Sequence, residues 1–309
     1  MKYKRDQTIL KVYGYGDNKK IKVVRMNWLR TAGVEDDEEY RSPKGSVHDF
    51  KLEENIRRAK NNIFEYAFCN PWDWFFTGTL DPKKYDRTNL DKFHKDLTQW
   101  FRDYGKQHNV HIKFLLVPEQ HSDGVSWHIH GFLYGLPKEH LKQFVVGDVM
   151  GKGLAEKVKR GDVVYNWLPY AKKFGFCDLE PIRNPEAVSK YMMKYISKNL
   201  ASSVKDLNVH LYYHSRGLNK AETIKKGVTA LPITPTYENE HCSVAWLDYS
   251  DELLQEISSS FLDIDYYNKQ IKHPAPLRAS PTTLDSGALP GVLFIRPPAR
   301  PHVAHKGLR

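Results

Sequence analysis

The tightest constraint on the fold is a pair of strand-like runs, residues 111–118 and 126–134, separated by a polar turn containing Asp123-Gly124. Such a pair reads as an antiparallel hairpin. Ahead of it, Trp74-Phe75-Phe76-Thr77-Gly78-Thr79-Leu80 is aromatic and β-branched and stops at Asp81-Pro82, as a strand does. Periodicity predicts a helix over 52–68, with Ile56, Ala59, Ile63 and Tyr66 at helical spacing and Asn70-Pro71 as its stop. A second helix is predicted over 89–104, with Leu90, Phe93, Leu97, Trp100, Phe101 and Tyr104 along one face. A short strand over 174–179 follows, then a helix opened by Asn184 and Pro185 and running through Leu200. Hairpin-linked strands with interspersed helices rarely make a fully parallel sheet. The expected class is therefore α+β, an antiparallel sheet flanked by helices.

Four stretches are expected along the chain. Residues 1–51 are polar, with one strand at about 21–28; residues 52–230 hold the main domain; residues 231–272 are acidic; residues 273–309 hold seven prolines and no apolar periodicity, as a disordered tail would. At 309 residues and 40% apolar content the chain can bury a proper core. Its 47 Lys and Arg against 37 Asp and Glu give a net charge of +10, which favours a polyanionic partner such as nucleic acid. That charge is segregated: residues 182–230 carry nine basic and three acidic side chains, residues 231–272 two basic and eight acidic. Three cysteines without CxxC spacing suggest neither a disulfide framework nor a cysteine zinc site, and fit a reducing cytoplasm. No apolar run approaches a membrane span, and no GxxxxGK[ST] phosphate loop is present, so an ATP-driven helicase within the chain is not expected.

Chemistry-bearing residues begin in the hairpin. His128 and His130 lie two apart on a predicted strand, so both imidazoles project from one face and Ile129 from the other. Two nitrogens on one face can grip one metal. Glu119, near the turn on the neighbouring strand, offers an acidic third ligand, and His121 beside it offers an alternative. Such a set leaves coordination positions for water and a phosphate oxygen, as a catalytic metal site requires. For an HxH pair alone, incidental histidines are the commoner explanation.

The downstream helix changes that balance. In Tyr191-Met192-Met193-Lys194-Tyr195-Ile196-Ser197-Lys198, the residues Tyr191, Tyr195 and Lys198 recur at i, i+4 and i+7 and share a helical face. Aromatics at this spacing are usually core contacts, but each Tyr here is followed three residues on by a lysine, Lys194 or Lys198. A phenol with a pKa near 10 attacks a phosphodiester poorly unless nearby positive charge favours the phenolate and neutralises the phosphate.

Together these residues resemble the HUH endonucleases, and within them the rolling-circle replication initiators of small phages and plasmids that use two tyrosines. The resemblance covers most of residues 52–227 and rests on three ordered motifs: Phe75 to Asp81, His128-Ile129-His130-Gly131, and the YxxKYxxK segment from Tyr191 to Lys198. Gly78 departs from the pattern, replacing an apolar residue with one expected to soften the strand. The resemblance implies a ferredoxin- or RRM-like palm. It also implies Mg²⁺ or Mn²⁺ held by His128, His130 and Glu119, and a tyrosine that nicks single-stranded DNA and stays attached as a 5′-phosphotyrosine, with Lys194 and Lys198 in support. The second tyrosine would cut and rejoin the strand after a round of replication. Conjugative relaxases place the nucleophile before the histidines; here it follows them, which argues for an initiator or a related transposase. The implied partners are origin or hairpin DNA and a host helicase and polymerase acting in trans, in a bacterial cytoplasm and away from membrane. From a different class, a non-catalytic nucleic-acid-binding protein would use the same sheet only to bind.

Supporting features are weaker. Tyr212, Tyr213 and Arg216, in the run from His210 to Arg216, mix bases with aromatics as a single-strand-binding surface would, or as an edge with buried tyrosines would. Trp127 either packs in the sheet or stacks on a base. Lys152, Lys157, Lys159, Arg160, Lys172 and Lys173 form either a solvated face or a backbone track.

Overall fold

A computed structural model of the chain describes residues 3–30, 49–184, 211–229 and 231–262. The architecture is α+β with two sheets. Residues 185–200, which carry the predicted tyrosine helix, and residues 263–309, which carry the predicted tail, lie outside the described residues.

The chain opens with strands β1 (Tyr3–Tyr15) and β2 (Asn18–Arg30), where sequence reading expected one strand at 21–28. The missed signal is the Gly14–Gly16 turn: both glycines have positive φ, 99° and 53°, conformations that other residues rarely adopt. Helix α1 (Asp49–Phe68) precedes β3 (Trp74–Thr79). Helix α2 (Leu90–His108) follows, then β4 (Lys113–Gln120) and β5 (Trp127–Tyr134). The stretch that sequence reading left as a Lys-rich connection holds β6 (Leu141–Gln143), α3 (Lys152–Lys159), β7 (Tyr165–Trp167) and α4 (Leu168–Lys173). Next come β8 (Cys177–Pro181), β9 (Tyr213–His214) and β10 (Glu222–Thr229). The acidic stretch is folded, as β11 (Tyr237–Glu238), β12 (Cys242–Asp248), α5 (Asp251–Ser259) and β13 (Phe261–Leu262).

Two compact units emerge. One comprises residues 1–10, 22–34 and 225–309, the other residues 11–21 and 35–224. A six-stranded sheet runs in the order β11-β12-β2-β1-β10-β13, and a seven-stranded sheet in the order β6-β7-β8-β3-β5-β4-β9.

The seven-stranded sheet, within the larger unit, is held by the period-2 alternation of its strands. Trp74, Phe76, Ile129, Leu133, Leu116 and Leu179 face one side and join one buried cluster with Phe93, Leu97, Phe101 and Tyr104 of α2. Spaced by four, four and three, those α2 residues form one stripe, and each buried apolar side chain contributes on the order of 1.5–3 kcal/mol. The helix is bounded at both ends: the Asn89 side chain accepts the Lys92 backbone N–H, and Asn109 closes it in the left-handed region at φ 52°.

Gly78 does not soften its strand but admits the core. A Cβ there would lie 2.5 Å from Phe76 Cζ and 2.7 Å from the Tyr170 hydroxyl. Gly131, the residue after the histidine pair, is tighter still. Its Cβ would stand 2.0 Å from the Leu115 carbonyl oxygen and 2.9 Å from Leu116 Cα, both backbone atoms of the neighbouring strand. Gly131→Ala should therefore cost about 1–3 kcal/mol, the range for an overlap that no side chain can relieve. Gly153→Ala, at an open position of α3, should be neutral or mildly stabilising. Urea or thermal denaturation of the two variants checks the contrast, and equal effects would contradict it.

Candidate active site

Register places the chemistry. On β5, His128 lies opposite Glu119 of β4 and Thr79 of β3, while His130 lies opposite Val117 and Thr77. Directly paired residues share a sheet face, so His128, His130, Glu119, Thr77 and Thr79 all project to the side away from α2. The hairpin turn fixes Glu119 beside the histidines. Asp123 accepts the backbone N–H groups of Val125 and Ser126, which hold its carboxyl well below the usual range, and Gly124 takes φ 73°.

Glu119 Oε2 is 2.8 Å from His130 Nε2, with both side chains largely buried. The other ring nitrogens are held by β3: Thr77 Oγ1 lies 3.3 Å from His130 Nδ1, and Thr79 Oγ1 lies 3.0 Å from His128 Nδ1. The two imidazole centroids are 5.8 Å apart. Burial, then the neighbouring His121 and His130 rings, pushes the His128 pKa down to about 4, so the ring is neutral at physiological pH with a lone pair to offer. Metal-binding histidines are commonly oriented this way, with one nitrogen anchored and the other presented.

Among the described residues, however, no group of three His, Cys, Asp or Glu side chains stands ready to hold a metal ion. Glu119 and His130 meet each other, but the His128 ring is stacked on His121, centroid to centroid 3.2 Å. Sequence reading kept His121 open as a third ligand. Its Nε2 accepts from the Arg87 guanidinium at 3.1 Å, which occupies that nitrogen, and burial followed by Arg87 lowers its pKa. Glu119 is the better placed of the two.

Two residues at this site escaped the sequence. Arg87, in the loop between β3 and α2, brings a cation to the two histidines, and its backbone carbonyl accepts the Trp127 N–H. A lone Arg in a loop carries no motif. Asp178 of β8 lies opposite Thr77, on the site face. Burial raises its pKa, opposed by Lys157 of α3, whose Nζ is 3.8 Å away and also 2.7 Å from Glu180. Lys157, read in sequence only as one of a basic run, thus pairs with carboxylates inside the fold.

The remaining predicted residues separate. Tyr191, Lys194, Tyr195 and Lys198 lie outside the described residues. Trp127 alternates to the face opposite the histidines. Tyr213 is a correction: rather than offering a DNA surface it is buried in the core cluster, stacked on His94 at 3.6 Å, because on β9 it points inward while its neighbours point outward. Those neighbours do form an aromatic surface. His214 stacks on Tyr66 at 4.5 Å and on Tyr212 at 5.6 Å, and Lys220 Nζ lies 5.0 Å over the Tyr66 ring. Arg216 is exposed nearby in sequence. No helix among the described residues is long and apolar enough to cross a membrane.

Residues 73–200 match the family model of the replication-associated protein ORF2, in keeping with a rolling-circle replication protein. The matched segment contains the β3 strand, the His128–His130 pair, Asp178 and the Tyr191–Lys198 run. No curated protein and no solved structure matches the chain.

The raised pKa of Asp178 predicts a sign for its effect on stability. A carboxyl whose folded pKa exceeds its unfolded value takes up a proton on folding, so its contribution falls as pH rises through the window above the ordinary carboxylate pKa. Asp178→Asn removes that dependence. The stability of the variant minus that of the parent should grow as pH is raised from about 4 to about 8 in paired urea titrations, and a difference that shrinks would contradict the assignment.

Proposed function

We propose, with the replication-associated match of residues 73–200 as premise, that this chain is a rolling-circle initiator. It would nick and rejoin single-stranded DNA by tyrosine attack with a divalent metal. The observation that carries the reading is the convergence of Glu119, His128 and His130 on one sheet face, with each imidazole anchored through Nδ1 by a threonine. Incidental surface histidines have no reason to be paired with a carboxylate and braced from the adjacent strand.

Nε2 of His128, Nε2 of His130 and a Glu119 oxygen would hold Mg²⁺ or Mn²⁺; the imidazoles suit Mn²⁺, whereas Mg²⁺ prefers oxygen. For all three to bind, His128 must leave its stacking on His121. Bound there, the ion would polarise a phosphate oxygen and offset the charge that builds on the phosphate. Arg87 adds a second positive charge beside the same histidines, which suits an anionic substrate. The Tyr191 or Tyr195 oxygen attacks the phosphorus, losing its proton as it does so. A Tyr–O–P bond forms, the P–O3′ bond breaks, and the departing oxygen takes up a proton to become the 3′-OH primer. Lys194 and Lys198 favour the phenolate by proximity of charge. The stacked surface of Tyr66, Tyr212 and His214 supplies a sequence-tolerant platform for bases. Strand opening and extension fall to a helicase and polymerase in trans. The family description favours an initiator over a transposase, which would join element ends instead of regenerating a circle.

Incubation with a labelled single-stranded origin oligonucleotide and Mn²⁺ should give a covalent protein–DNA adduct. Tyr191→Phe with Tyr195→Phe should abolish it, and His128→Ala with His130→Ala, or chelation by EDTA, should lower its rate on the order of 10²-fold or more. Adducts that survive loss of both tyrosines would remove the nucleophile assignment, and nicking unchanged in the histidine variant would remove the metal.

A salt dependence follows from Arg87. Arg87→Gln should weaken binding to single strands uniformly across sequences and reduce the slope of log affinity against log salt by about 0.7, the value for one lost phosphate contact. Fluorescence anisotropy over a salt series measures it; an unchanged slope would show that Arg87 does not meet phosphate.

A further inference from the structure

Thr77 stands in the middle of a three-strand row. Asp178 on β8 and His130 on β5 are its direct partners across the two ladders, so all three side chains meet on one face. The Thr77 hydroxyl is hydrogen-bonded to the Asp178 carboxylate, and its oxygen is 3.3 Å from His130 Nδ1. A hydroxyl has one hydrogen to give and lone pairs to receive. A carboxylate can only accept, so the Thr77 hydrogen goes to Asp178, and toward His130 the oxygen can only accept. The imidazole proton must then sit on Nδ1, and Nε2 is left as a bare lone pair.

That lone pair faces Glu119 Oε2 at 2.8 Å. Two lone-pair atoms this close repel unless positive charge comes between them or binds both. Nothing comparable backs the other histidine. Thr79 is 3.0 Å from His128 Nδ1, but its backbone N–H donates to the Phe176 carbonyl and the β3–β8 ladder ends at Gly78 and Cys177, one residue short. Among the described residues no carboxylate is registered opposite Thr79 on β8. The two threonines look alike in sequence and differ only in what lies behind them.

We propose that Asp178, acting through Thr77, is a positioning residue that locks His130 in the Nδ1–H tautomer and so presents Nε2 as a ligand for the divalent cation. The inference rests on the metal reading above and extends it to a residue outside the HxH motif. Lys157, 3.8 Å from Asp178, keeps a cation beside the carboxylate in its partly buried setting.

The experiment uses the full chain, metal-free and then titrated with Mn²⁺, with imidazole ¹⁵N NMR to read the tautomer and electron paramagnetic resonance to read bound Mn²⁺. At a pH where the imidazoles are neutral, wild-type His130 should be the Nδ1–H form. Thr77→Val, which removes the hydroxyl and keeps the shape, should lose that preference and bind Mn²⁺ about 10–100-fold more weakly. Asp178→Asn should shift both readouts in the same direction. Thr77→Ser, which keeps the hydroxyl, should restore both, and Thr79→Val should leave the His130 tautomer as it is. Retention of the Nδ1–H form in both Thr77→Val and Asp178→Asn overturns the proposal. So does a loss in Thr77→Val that Thr77→Ser fails to restore. If wild type takes up no Mn²⁺, the metal reading fails, and the tautomer comparison alone decides whether Asp178 positions His130.

Discussion

The register of four antiparallel strands, β8, β3, β5 and β4, is the constraint on which the rest of the larger unit depends. Side chains alternate across a sheet with a period of two, so one registration sends Phe76, Ile129, Leu116 and Leu179 to the core and Asp178, Thr77, His130 and Glu119 to the other face. A slip of one residue would exchange the two sets. It would bury four polar groups against α2 and expose the apolar ones, a penalty of many kcal/mol. The packing that stabilises the sheet is thus the same packing that aligns the site.

Close approach tightens this arrangement. Gly131 follows the second histidine because a Cβ there would collide with the backbone of β4, and Gly78 leaves room for Phe76 and for the Tyr170 hydroxyl. Each glycine sits within a strand, where conformational freedom alone would be a disadvantage. What it provides is proximity, between β5 and β4 at the site and between β3 and the core beneath it. The threonines of β3 then reach both Nδ1 atoms without any helix or loop intervening.

Much of this was legible in the sequence, for identifiable reasons. The hairpin over β4 and β5, the aromatic strand β3, and helices α1 and α2 all showed in alternation, helical spacing and turn residues, with ends displaced by a few residues. The placement of His128, His130 and Glu119 on one face followed from the period of two. What was missed depends on long-range pairing. Asp178 meets Thr77 from a distant part of the chain, Arg87 reaches His121 from a loop, and the acidic C-terminal stretch contributes strands instead of forming a separate segment. Tyr213 was misread because two residues of a short strand carry no period from which to choose the inward one. The short elements between β5 and β8 lacked enough residues to show any periodicity.

The central claim is that one cation is held by two imidazoles and one carboxylate on this face. Crystals soaked in Mn²⁺ and measured at an energy where manganese scatters anomalously test it directly. The account predicts a single strong anomalous peak within bonding distance of His128 Nε2, His130 Nε2 and a Glu119 oxygen, with the His128 ring turned away from His121. A peak at some other set of side chains, or none at this face at saturating Mn²⁺, would contradict it.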